Sequence, residues 1–413
     1  MDPLSQAILS KGAAAPSVQY YFTSRLGIEE EGAYYDEYPA DIKIDGSGNV
    51  YALISYVQLG GSQVPVLIKY ASNSTIEWTR ALTAIGTGHA LALDNDENIW
   101  VCCAGSGKVH LVKYSSTGTL LLIRQYAPSF GTYNLLYPHI ARNSAGNIVL
   151  VASQTNGATH HLNVAVIGTD GTLGTQAGFA TTVSSTENKV AADPGGNLFV
   201  STANRVLLLN SSLVLQWARI VAGTVYGSSS DNVGGLYCGS ATNLFLLSGS
   251  GTYTWINNVS GGSLNDVFFD GASHLYFIGR NGGSALNYGK VSAALPSSIT
   301  WQRVLGGNCV SVYHKVRAAS GAIYINWPVV FDPGGIESHD WQMAKLPDDG
   351  TTPFALSGPL GGVSAGGFSF PSSSGSPTSF TPGGGVASLL STTPATPTYS
   401  GAAITPSTTV VSI

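Results

Sequence analysis

Apolar and polar positions alternate along most of this chain in strand-length runs, and the runs are separated by turns of Asp, Gly and Asn. The first clear copy is Ile42-Lys-Ile-Asp-Gly-Ser-Gly-Asn49-Val-Tyr51, followed by Leu91-Ala-Leu-Asp-Asn-Asp-Glu-Asn98-Ile-Trp100. Ile140 to Val149 around Asn147 and Val190 to Phe199 around Asn197 repeat it, so the turns recur 49, 49 and 50 residues apart. Weaker copies run from Leu236 to Phe245 around Asn243, Val267 to Tyr276 around His274, and Val316 to Tyr324 around Ala322. A Gly-Asn turn between two period-two runs predicts a hairpin, because tight turns need residues that tolerate positive φ.

Each unit has a second hairpin. Leu67-Ile-Lys-Tyr70 turns into Trp78-Thr-Arg-Ala-Leu82, and Leu111-Val-Lys-Tyr114 into Leu122-Ile-Arg-Gln-Tyr126. Val206 to Leu209 leads into Trp217-Ala-Arg-Ile-Val221, and Tyr288 to Val291 into Trp301-Gln-Arg-Val-Leu-Gly306. Two hairpins per repeat make a four-stranded antiparallel sheet, and repeated sheets of this length predict an all-β propeller. Seven first halves predict seven blades. Six is the alternative, because residues 234–262 read as a shortened fifth unit. The last unit lacks a Trp-x-Arg strand, and Tyr20 to Gly27, aromatic then Arg25 then Leu-Gly, supplies it from the other end of the chain. The expected organisation is an N-terminal arm over 1–16, a propeller over 17–349 and a C-terminal arm over 350–413.

Charge sharpens this division. Only 10% of the 413 residues are charged, against about 25% in an average protein, and the final 64 carry no Lys, Arg, Asp, Glu or His. That stretch is rich in Gly, Ser, Thr and Pro, and it reads as an extended low-complexity arm that docks on neighbouring subunits. A net charge of −5 with no basic run argues against a nucleic-acid partner. No apolar run reaches the length of a membrane helix, and the opening residues lack the apolar core of a signal peptide. Cys102, Cys103, Cys238 and Cys309 show no ligand spacing and read as free buried thiols, the adjacent pair pointing to opposite faces.

Candidate chemistry is sparse. Gly362-Val-Ser364-Ala-Gly366 spells a nucleophile elbow by letter, but it lies in the low-complexity arm with no His after it. Asp94-Asn-Asp96-Glu-Asn98 opens like a calcium loop yet lacks the later bidentate Glu, and reads as a polar turn. His160-His161 reads as an exposed loop pair, and His89, His110 and His139 as hydrogen-bonded structural imidazoles. Glu29 to Glu31 with Asp36 and Glu37 form an acidic link that reads as a solvated loop. Tyr34, Tyr35, Tyr133, Tyr137 and Tyr226 are aromatic candidates for stacking a sugar. The recurring Trp78, Trp217 and Trp301, with Arg25, Arg80, Arg124, Arg219 and Arg303, point to blade-to-blade packing, since a unique site would break a repeat and not follow it. No catalytic residue, cofactor or metal ligand is assigned.

The combination Asp-x-x-Gly-Asn-φ-Tyr, then Lys-Tyr, then Trp-x-Arg resembles the β-propeller repeat family of bacterial surface proteins and tailed-phage virion proteins. The Met343-Ala-Lys-Leu-Pro-Asp-Asp-Gly350 close, followed by a neutral arm, resembles the phage members. The resemblance implies a non-enzymatic structural and interaction role at a phage tail or its fibre attachment. The partners it implies are other virion proteins or copies of the chain, and the location is the virion, after synthesis in the host cytoplasm. Readings from other classes are a carbohydrate-binding surface propeller and a polysaccharide lyase or hydrolase propeller.

Overall fold

The computed structural model describes residues 22–26, 36–57, 63–82, 85–128, 134–155, 160–181, 187–281, 285–294, 299–305, 314–331 and 338–350. It also describes five short strands beyond them, at 363–365, 378–379, 383–384, 390–394 and 411–412. The fold is an all-β propeller of seven antiparallel sheets, each built from four consecutive strands except the seventh. No helix among the described residues is long and apolar enough to cross a membrane.

Blade one shows the local logic. Its strands are Asp36–Ile44, Val50–Val57, Gln63–Tyr70 and Ile76–Ala81, innermost to outermost. At the first turn Asp45 Oδ1 accepts the backbone N–H groups of Ser47 and Asn49, at 3.0 and 2.8 Å, and the Asn49 side chain donates back to Oδ2 at 2.8 Å. Asp94, Asn143 and Asp193 repeat this bonding on Asn98, Asn147 and Asn197, which is why the Asp-to-Asn spacing recurs in the sequence.

The fifth blade corrects the expectation of a shortened unit. It is complete, with strands Val225–Ser230, Leu236–Ser240, Asn243–Leu247 and Tyr253–Asn258. Asp231 makes its first turn, accepting from Val233 and Gly235, so Asn243 belongs to the next, tighter turn. The seven-blade count therefore holds. In blade seven, Lys315–Ala319, Ala322–Phe331 and Ser338–Pro347 are completed by Phe22–Leu26 from the start of the chain, with Leu26 opposite Trp341.

Apolar packing lies between the blades. Seven clusters occupy the seven seams, from Ile68 and Trp341 between blades one and seven to Ile325 and Tyr288 between six and seven. Cys102 faces the seam toward blade three and Cys103 the seam toward blade one, opposite faces as the alternation predicts. Both are buried and free, as is Cys238, whereas Cys309 lies outside the described residues.

The outer strand of a blade clasps the next blade. Trp78 Nε1 donates to Ser116 O at 3.2 Å and Arg80 Nε to Gly118 O at 2.9 Å, while the guanidinium sits 5.4 Å from the indole centroid. Trp217 and Arg219 hold Gly249 and Gly251 in the same way, and Trp301 and Arg303 hold Asp348 and Gly350. In blade two Tyr126, with no Trp in its strand, donates to Gly171 O at 3.0 Å instead. The side chain of Arg25 lies outside the described residues.

All five described strands of the C-terminal arm pair on this chain's own blades. Val363–Ala365 adds a fifth strand to blade six, Thr378–Ser379 to blade four and Gly383–Gly384 to blade three. Leu390–Pro394 then lies along the outer strand of blade two, and Val411–Ser412 pairs with Phe22 and Thr23 of blade seven. The contacts follow the rim in descending order and return to where the propeller closes. Edge pairing uses only backbone groups, so a neutral Ser/Thr/Gly sequence can supply it.

Candidate functional site

The inner strands of the seven blades line a central channel, and they carry the buried charges Asp41, Lys189, Asp266 and Lys315. Bulges interrupt five of them: between Pro39 and Asp41, Gly88 and Ala90, Leu136 and His139, Val225 and Gly227, and Leu264 and Asp266. A bulge re-aims the residues beside it, and at three of these the residue that follows it staples the next blade. Asp41 Oδ2 accepts the Leu91 N–H at 2.9 Å, His139 Nδ1 that of Val190 at 3.3 Å, and Asp266 Oδ2 that of Val316 at 3.2 Å.

Arg317 joins two of these acids. Its Nη2 lies 3.0 Å from Asp41 Oδ1 and its Nη1 2.6 Å from Asp266 Oδ2, and Lys43 Nζ adds a 2.9 Å contact to Asp41. Burial alone would raise the Asp41 carboxyl, but Lys43 and Arg317 more than offset it and hold the group well below the usual carboxylate range. Opposite them, Lys189 pairs with Glu187 at 2.5 Å, and Lys315 comes from the head of blade seven. Burial lowers the Lys315 ammonium, and the nearby Lys189 charge lowers it further. Burial also drops His89 to about 4 and His139 well below its ordinary value, so both are neutral at pH 7.

Two connected chambers share His89, His139, Lys189 and Lys315 in their walls. The larger, about 760 Å³, opens on the Asp-turn side and is lined by Asp41, Arg142 and Arg317 among others. The smaller, about 440 Å³, opens on the opposite side past Tyr38, Gln63 and Tyr137.

Few sequence candidates meet here. His89, His139 and Tyr137 reach the channel, and Tyr226 sits half-buried at the bulge of blade five. His160 and His161 are not in a loop: they begin the strand His160–Ile167 and are half-buried, because pairing with Thr155 and Gln154 extends the hairpin. His110 is buried within Lys108–Tyr114. Asp94 is fully engaged by Asp96, Asn98 and Trp100 and pairs with Lys113 at 2.8 Å, so its turn is structural. Ser364 is the middle of an edge strand opposite Val304, not a strand-to-helix elbow. Asp36 and Glu37 begin an inner strand, and Glu29 to Glu31, Tyr34, Tyr35 and Tyr133 lie outside the described residues. Among the described residues no group of three or more His, Cys, Asp or Glu is placed to hold a metal ion.

Sequence reasoning missed the channel charges. A signal existed: Asp41 and Lys43, Glu187 and Lys189, and Lys315 and Arg317 are charged pairs two residues apart at the first strand of their repeats. In a strand that spacing puts both side chains on one side.

Known proteins share this architecture. No family model matches the chain, and no curated protein matches it in sequence. Among solved structures it is similar to virginiamycin B lyase from Staphylococcus aureus, at 12% identity over 79% of this chain and 99% of that one, with a TM-score of 0.50. It is also similar to the polysaccharide lyase Uly1, at 9% identity over 76% and 90% of the chains with a TM-score of 0.45. A gluconolactonase from Xanthomonas campestris follows, at 14% identity over 64% and 96% with a TM-score of 0.39. At such identity the likeness to the first of these is one of fold alone, and it agrees with the seven-bladed β-propeller of the sheets.

Proposed function

We propose that this chain is a non-enzymatic structural and interaction protein of a tailed-phage virion, a propeller scaffold at the tail or its fibre attachment. The observation that carries the reading is the strapping of the ring by both chain ends. The N-terminal strand closes blade seven, and segments of the neutral arm lie as edge strands on five blades. A disc tied this way resists opening from either end, as a particle component exposed to the environment must.

Two further features support a scaffold. The channel acids Asp41 and Asp266 are engaged by Arg317 and by backbone N–H groups of the next blade. The Trp-x-Arg clasp recurs in blades one, four and six, which favours a packing role for it over a unique site. The test is quantitative mass spectrometry of purified phage particles against the infected-cell lysate. A fixed copy number per particle is expected. A protein abundant in the lysate and missing from purified particles would overturn the reading.

A further inference from the structure

The described lining of the smaller chamber carries one cation more than its acids, Lys189 and Lys315 against Glu187. Lys43 and Arg317 are matched by Asp41 and Asp266, and Lys189 by Glu187. Lys315 is the remainder. Its residue is only 8% exposed, its backbone N–H donates to Asn326 Oδ1 at 3.0 Å, and its ammonium makes no ion pair or hydrogen bond among the described residues. The residue is largely buried but its ammonium faces the chamber, a position that favours an anion beside it.

The smaller chamber suits a small molecule. At about 440 Å³ it falls in the size range of ligand pockets. Lys315 and Lys189 lie at its inner end, and Gln63, Thr87 and Tyr38 line it with groups able to bond hydroxyls. Tyr137 stands at the bulge of blade three with φ of 50°, edge-on to His89 at 6.5 Å. A bulky residue held in the left-handed region costs on the order of 1–3 kcal/mol, and such strain gathers at binding sites.

We propose that this chamber binds a small hydroxylated monocarboxylate of the hexuronic-acid class, its carboxylate on Lys315 beside Lys189 and its ring toward Tyr137. The surplus of one positive charge matches a monoanion. A dianion would place a second negative charge near Glu187 and Asp41, both of which act on the Lys315 ammonium. This inference is independent of the virion role and would stand if that role failed.

The test is titration calorimetry of the full chain at constant ionic strength with sodium glucuronate, glucose and inorganic phosphate. Glucuronate should bind about ten- to a hundredfold more tightly than glucose, the worth of one charged hydrogen bond, and more tightly than phosphate. Lys315→Met should remove that advantage and leave the weak glucose binding unchanged. Should Lys315→Met fail to fold, thermal shift on the native chain decides, with glucuronate expected to raise Tm above both controls. Equal binding of glucose, tighter binding of phosphate, no glucuronate binding at tens of millimolar, or full affinity in a folded Lys315→Met would each overturn the proposal.

Discussion

Arg317 and Asp41 are 276 residues apart in sequence, yet their side chains meet at 3.0 Å across the seam where blade seven returns to blade one. The same guanidinium holds Asp266 of blade six, so one residue locks three blades from inside the channel. Removing it leaves buried Asp266 without its cation and buried Asp41 with Lys43 alone. Arg317→Met should destabilise the fold by about 3–5 kcal/mol in a denaturant melt, and Lys43→Met, at a more exposed position, by distinctly less. A loss under about 1 kcal/mol for Arg317→Met, the worth of a surface pair, would refute the lock.

The rim clasp makes a separate prediction at Gly118. This residue has φ of +79°, and a Cβ there would lie 2.9 Å from both Trp78 and Arg80 of the preceding blade. Gly118→Ala should cost about 1–3 kcal/mol through backbone strain plus the displaced clasp. Gly234→Ala is the control, since its φ is also positive but its Cβ would meet nothing. Equal losses at the two sites would show that the clasp contributes nothing.

Deleting residues 350–413 tests the strap. The truncated chain keeps all seven four-stranded blades but exposes the outer edges of blades two, three, four, six and seven. Its Tm should fall by several degrees, and it should self-associate through the bared edges in size-exclusion chromatography with light scattering. An unchanged Tm with a monodisperse monomer would argue that the pairing is dispensable.

Acid should loosen the propeller in two stages. His89 and His314 titrate in the fold at about 4 and about 3, against 6.5 when exposed, because burial disfavours their charged forms. The unfolded chain then binds more protons than the folded one below 6.5, so stability declines as pH falls from there toward the folded values. Asp41, held low despite burial by Lys43 and Arg317, adds to the decline only below its exposed value of 3.8. Calorimetric Tm should therefore drop between pH 6.5 and 4, and His89→Gln should flatten that slope. A Tm constant over this window would exclude the histidine contribution.

The thiols supply the last test. Burial pushes Cys102, Cys103 and Cys238 above the ordinary thiol range, so little nucleophilic thiolate forms. Iodoacetamide on the native chain, read by peptide mapping, should leave all three unmodified until denaturant is added. Rapid labelling of any of them would mean that its blade seam opens readily.

The repeat, its turns and its closure are local properties, and the sequence by itself determined them. Asp45, Asp94 and Asp193 each bond to the Asn four positions on, so their spacing is visible without any fold. Phe22–Leu26 could be assigned to blade seven because it carries the pattern that blade lacked. Blade five was harder to read because Asp231 makes its turn without the Gly-Asn pair, and the similar Asn243 drew the register one strand along. What only the tertiary structure decided lies in the channel and on the rim. Lys43 with Asp41 and Lys189 with Glu187 are local pairs two residues apart, but only closure of the ring gathers them into one channel and sets Arg317 against Asp41 and Asp266 of other blades. The arm has no pattern to read, because edge pairing is carried by backbone N–H and C=O groups that every residue but proline shares. Composition could show that 350–413 is neutral; where it lies depended on which outer strands the folded blades left open.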